Sequence, residues 1–172
     1  MATSNRDLSY RALDSLKGNW GESIAVVLIY SFIAWVVSIP SNFNEFYSVA
    51  SIFVIAPLWF GMAFYFLKVV RGEKGEINDL FYGFQFYLLS LGTYILMSIM
   101  VFLWTLLLIV PGIIKALSYS MTPYVLADDP SLRPMEAIER SMEIMDGYKG
   151  KLFVLGLWFF VVSIGCVLTI GI

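Results

Sequence analysis

Polar and apolar positions segregate into long blocks along this chain. Ser23 to Asn44, Phe46 to Leu67, Leu80 to Ile114 and Leu152 to Ile172 carry no Asp, Glu, Lys or Arg, and the blocks are 22, 22, 35 and 21 residues long. They are continuously apolar rather than alternating, which selects helix over barrel strand. About 20 residues of helix cross the roughly 30 Å hydrocarbon layer. Backbone in hydrocarbon must satisfy its own hydrogen bonds, and a helix does this within one segment. The pattern predicts an all-α, polytopic transmembrane helix bundle and excludes a soluble globular fold.

The blocks resolve into five spans within a single transmembrane domain, residues 1–172. The first covers 22–39 and stops at Ile39-Pro40-Ser41-Asn42, a turn signal. The second covers 47–67, with Pro57 inside as a kink. The stretch Phe84 to Ala127 holds 44 residues and one charge, Lys115. A single helix of that length would measure about 66 Å, twice the bilayer, so the chain must turn back. Pro111-Gly112 is the strong breaker near the middle. It divides the stretch into a long span at 84–110 and a short one at 112–127. The last span is 152–172.

Charge then orients the bundle. Arg6, Arg11 and Lys17 precede the first span. Lys68, Arg71 and Lys74 follow the second, and Arg133, Arg140, Lys149 and Lys151 precede the last. With a hairpin at Pro111, ten of the eleven Lys and Arg fall on one face. The positive-inside rule makes that face cytoplasmic, with the N-terminus inside and the C-terminus outside a bacterial cell (inner) membrane.

Cytoplasmic amphipathic surface helices are expected at 5–17 and 133–146, with a shorter one after Asn78. Ser4 with Asp7 resembles a capping box, and Gly18 and Gly147 stand where helices would end. The later helix shows an apolar stripe of Met135, Ile138, Met142 and Met145 against a polar face of Glu136, Glu139, Arg140 and Glu143. The stripe is better read as packing on the membrane surface or span ends than as a partner groove. The two helices correspond at an offset of 129: Arg11-Ala12-Leu13-Asp14 with Arg140-Ser141-Met142-Glu143, Leu16 with Met145, Gly18 with Gly147, Gly21 with Gly150. Arg71-Gly72-Glu73-Lys74-Gly75 echoes them weakly. A repeated unit of surface helix plus hairpin fits this arrangement, and it predicts a sixth span in a longer chain.

Composition removes several chemistries. The chain has no histidine, hence no imidazole base or ligand. Its one cysteine, Cys166, lies in an apolar run and reads as a small membrane residue. A net charge of −2 gives no reason to expect nucleic acid as a partner. Asp128-Asp129-Pro130 is the only adjacent carboxylate pair and the candidate for a divalent cation. A solvated helix start beside Pro130 weighs more heavily. Lys115 is the candidate for a transport path, since intramembrane charges often mark one; a lysine snorkelling to the membrane edge weighs more heavily. Trp20, Trp35 and Trp104 suit interfacial belts. No serine has a partner at a catalytic spacing.

Several segments together carry a family resemblance. These are Leu16-Lys17-Gly18-Asn19-Trp20-Gly21, Asp79-Leu80-Phe81-Tyr82-Gly83-Phe84, Ile109-Val110-Pro111-Gly112-Ile113-Ile114-Lys115-Ala116-Leu117-Ser118-Tyr119-Ser120 and Gly147-Tyr148-Lys149-Gly150-Lys151-Leu152-Phe153. They resemble the bacterial integral-membrane family catalogued as domain of unknown function 975. The Pro-Gly turn and later surface helix bear a weaker likeness to membrane domains of some glycerophosphodiester phosphodiesterases. The resemblance implies a multi-pass protein, usually of about six spans, and supplies no catalytic, cofactor or metal residues. The expected role is non-enzymatic: structural, assembly or membrane homeostasis, with the lipid bilayer and a membrane-protein partner or a second copy as partners. The alternative is a small transporter or permease subunit using the broken hairpin around Pro111.

Overall fold

The computed structural model describes residues 5–39 and 45–170. Side chains are described for residues 8–39 and 50–166. The turn at Pro40 and the Ser4–Asp7 capping pair lie outside the described residues. Among those described, every regular element is helical: α1 (Asn5–Ser15), α2 (Trp20–Ser38), α3 (Glu45–Val70), a 3-10 helix (Ile77–Phe84), α4 (Tyr87–Leu107), α5 (Ile109–Tyr119), α6 (Thr122–Asp128), α7 (Pro134–Ile144) and α8 (Lys149–Ile170). Four helices are long and apolar enough to cross a membrane: Trp20–Ser38, Ala50–Val70, Tyr87–Leu107 and Lys149–Cys166.

The apolar blocks give these helices because, in runs of this length rich in Leu, Ile, Val and aromatic residues, a helix satisfies its own backbone hydrogen bonds within one segment. α3 is the hub. One face joins Val26 of α2 and Leu80 of the 3-10 helix in a core with Leu58, Tyr65 and Val69. Another packs Phe60 against Val125, Leu126 and Ala127 of α6 and Ala137 of α7. α3 ends in a paired turn at Gly72, whose φ is +77°. There the Glu73 N–H donates to the Lys68 carbonyl at 3.0 Å and the Gly72 N–H to the Val69 carbonyl at 3.1 Å. That pattern satisfies the last carbonyls of a helix and needs a left-handed residue.

The 3-10 helix lies against α3 at backbone distance. A Cβ on Gly61 would overlap the Leu80 carbonyl, and one on Gly83 would overlap the Pro57 carbonyl. Only glycine permits such an approach. Phe64 and Tyr82 stack across the same joint with centroids 3.9 Å apart. The start of the 3-10 helix is fixed by Asp79, whose carboxylate accepts the Glu76 N–H at 2.8 Å; the cap is therefore at Glu76, not Asn78.

The reversal after α4 also differs in place from expectation. It falls at Leu108, which is extended (φ −161°, ψ 139°), three residues before Pro111-Gly112. Pro111 sits in the first turn of α5, where its missing N–H would have had no helical partner. Gly112 instead serves packing, since a Cβ there would strike Thr105 of α4. The segment expected as one helix at 112–127 is two, α5 and α6, with the break at Ser120–Met121. The stripe of α7 holds in part. Ala137, Ile138, Ser141 and Met145 are buried, whereas Met135 is exposed. Small Ala137 and Ser141 let α7 approach its neighbours, which a row of methionines would prevent.

Gly61→Ala and Gly83→Ala are each expected to destabilise the folded protein by about 1–3 kcal/mol, the range for overpacking. Gly92→Ala in α4, where an added Cβ meets nothing within 4 Å, is expected to be neutral or mildly stabilising. Denaturation followed in detergent micelles orders the three variants.

Candidate functional site

Charged side chains gather where α3, the 3-10 helix and α6 end. The Lys68 ammonium donates to both oxygens of Asp79, at 3.1 and 2.8 Å. These side chains are 24% and 14% exposed, so the pair is largely withdrawn from water, and losing one partner costs more than at a surface bridge. Arg71 pairs with Asp128, tying the end of α3 to the end of α6. Both partners are about half exposed, and this bridge contributes less.

The two adjacent acids therefore diverge. Asp128 faces Arg71, whereas Asp129 accepts from the backbone N–H of Ser131 at 3.1 Å and from its hydroxyl at 2.5 Å. Those two donors, the hydroxyl first, hold the Asp129 carboxyl below the usual aspartate range. The Arg133 guanidinium donates to Glu136 at 2.9 Å, and the Arg133 N–H donates to the same carboxylate at 3.0 Å, which lowers the Glu136 carboxyl likewise. Among the described residues no group of three His, Cys, Asp or Glu side chains is placed to hold a metal ion. A cavity of about 210 Å³ beside Asp128 and Asp129 also holds Arg140, a cation where a metal ion would need another acid.

Lys115 lies elsewhere, on the α4–α5 hairpin. Its ammonium stands 5.0 Å from the centroid of the Trp104 ring and 3.9 Å from the Met142 sulfur of α7. Among the described residues no carboxylate pairs with it. A lysine over an indole face gains cation–π attraction, and Trp104 and Met142 hold it between α4 and α7.

One polar centre entered the sequence reading only as part of the repeat. The Ser141 hydroxyl donates to the Ser118 carbonyl at 2.8 Å and accepts the Met121 N–H at 3.2 Å. Ser141 is fully buried. It closes the backbone groups exposed where α5 breaks from α6, and so fastens α7 to that break. The signal for it is a small polar residue on the apolar face of an amphipathic helix.

This architecture can be set beside known proteins. The chain matches the family described as Protein of unknown function (DUF975) over residues 1–118 and 105–172. The chain belongs to that family. The match reaches every described element, so the DUF975 family assignment applies to the bundle as a whole. No curated protein and no solved structure matches the chain. The weaker likeness to phosphodiesterase membrane domains gains no support. The family carries no assigned reaction or ligand set.

Ser141→Ala is expected to cost about 1–3 kcal/mol, because it strands the Met121 N–H and the Ser118 carbonyl. Ser141→Cys should recover part of this. Asp79→Ala is expected to cost more than Asp128→Ala, since it leaves Lys68 unpaired in a site largely shut from water. Thermal unfolding in detergent measures both comparisons.

Proposed function

We propose that this DUF975 member is a multi-pass protein of a bacterial inner membrane with a structural, assembly or membrane-homeostasis role, and not an enzyme. The observation that carries this reading is how the charged groups are used. Lys68–Asp79 and Arg71–Asp128 bind α3 to its neighbours, Arg133–Glu136 starts α7, and Asp129 is taken by Ser131. The first two lock helices together and the last two fix local turns. Meanwhile α2 and α8 present large apolar side chains such as Phe32, Trp35, Phe160 and Val161, which are 61–63% exposed and suit contact with lipid.

In this reading the chain crosses five times. α5 and α6 together hold about 27 Å of helix, close to the hydrocarbon thickness, which supports reading the pair as the fourth crossing. The Arg71–Asp128 pair supports a return to the level of the α3 end. The basic residues gather on that side, which makes it the cytoplasmic face and puts the N-terminus inside. There α1 and α7 are surface helices, α7 turning Glu136, Glu139, Arg140 and Glu143 to water. Partners are the bilayer and a membrane protein or second copy. A permease role is less well supported, since Lys115 rests on Trp104 and Met142 rather than on a polar path.

Single-cysteine variants in a Cys166→Ser background test the topology. Glu73→Cys and Asp146→Cys should react with an impermeant maleimide from the cytoplasmic side only, and Val110→Cys from the outside only. Labelling of the Val110 and Asp146 variants from one side contradicts five crossings. Loss of the gene should sensitise cells to membrane-perturbing agents; an unaffected strain, with clean purification free of partners, contradicts the role.

A further inference from the structure

Two units of the chain correspond residue for residue at the offset of 129. α1 (Asn5–Ser15) and α7 (Pro134–Ile144) are both 11 residues long, and α2 and α8 start at Trp20 and Lys149. Between them Gly18 and Gly147 hold φ values of +89° and +74°. The turn hydrogen bonds repeat as well. The Leu16 N–H donates to the Ala12 carbonyl as the Met145 N–H does to Ser141; Asn19 donates to Leu16 as Tyr148 does to Met145; Ser23 donates to Asn19 as Leu152 does to Tyr148.

In the first unit α3 covers the face beyond the turn. Leu16 and Val26 share a core with Tyr65, which is fully buried. The Ser23 hydroxyl and the Tyr65 hydroxyl are 3.0 Å apart. Further out, Lys74 lies 3.9 Å from Glu22. The counterparts of Leu16, Glu22, Ser23 and Val26 are Met145, Lys151, Leu152 and Leu155. Those four residues line a single cavity of about 290 Å³. Ile29, Tyr30 and Ile33 pack on the same first-unit core, whereas their counterparts Trp158, Phe159 and Val162 on α8 are 56, 53 and 42% exposed.

We infer that this cavity is the vacant counterpart of the Tyr65 socket, and that it receives a large apolar side chain from an apolar membrane helix running antiparallel to α8, as α3 runs against α2. The substitutions between the units define that helix. Leu152 stands for Ser23, so the hydroxyl that meets Tyr65 in the first unit has no counterpart at that position, which favours Phe, Leu or Met over Tyr. Lys151 stands for Glu22, so the charge at the rim is inverted. Lys74 follows Tyr65 by nine residues, and the arriving helix carries an acid at the equivalent place. The 158, 159 and 162 positions continue the seam outward. This inference rests on the membrane reading above; a lipid acyl chain is the competing occupant.

A photo-activated benzophenone residue in place of Leu155, and separately of Val154 on the neighbouring face of α8, tests this in native membranes with the full chain. The Leu155 position should capture an apolar helical segment with an acidic residue about nine positions beyond the captured side chain, identified by mass spectrometry. Lys151→Glu should lower that yield about fivefold and Lys151→Arg should preserve it. The Val154 position should capture lipid. Lipid alone at both positions overturns the proposal and leaves the membrane reading standing. No lipid at either position overturns both. A captured protein segment without the acid, or insensitive to Lys151→Glu, also overturns it.

Discussion

The bundle depends on one backbone contact, the approach of the 3-10 helix to α3 at Gly61 and Gly83. Two carbonyls, those of Leu80 and Pro57, occupy the space that side chains would need at these glycines. The approach brings Leu80 into the core with Tyr65 and Val69, sets Tyr82 on Phe64, and carries Asp79 to Lys68. It also determines where α4 begins. Between apolar helices in lipid there is little hydrophobic driving force, so close packing through small residues has to supply cohesion. A single methyl group at either glycine would push the 3-10 helix away and separate the ion pair behind it.

Polar groups do the remaining fastening, each at a place where the helical ladder is interrupted. Asp79 caps the 3-10 helix and pairs with Lys68 at once. Ser141 bridges the α5–α6 break. The Ser23–Tyr65 contact joins the start of α2 to the later part of α3. In a medium of low dielectric an unpaired polar group costs more than its bond returns in water, so such contacts specify one arrangement. α2 and α8 contribute fewer of them and keep most of their apolar surface outward.

Much of this was legible in the sequence. Uncharged blocks disclose α2, α3, α4 and α8 because helices of that length and hydropathy leave few alternatives. The need for a reversal between Phe84 and Ala127 followed from length alone, but its place did not. Pro111 is a breaker by residue type, yet the first turn of α5 accommodates it, and Leu108 turns instead. The apolar stripe of α7 was legible in part: Ile138 and Met145 are buried as expected, Met135 is exposed, and buried Ala137 and Ser141 set how close the helix comes. The glycine joint was not legible at all. Gly61 and Gly83 are far apart in sequence and belong to no periodic pattern. By contrast the offset of 129, visible in a handful of residues, holds for the limits of α1 and α7, the starts of α2 and α8, glycine φ values and turn hydrogen bonds alike.

The claim that the α3 joint organises the fold is most directly tested by hydrogen exchange of the full chain in lipid nanodiscs. Amides in the 3-10 helix Ile77–Phe84 and in α3 should exchange slowest and at a common rate, because opening one requires opening the other. α1, which is held by few contacts, should exchange first. Exchange of residues 77–84 at loop rates, with α3 still protected, would contradict the account.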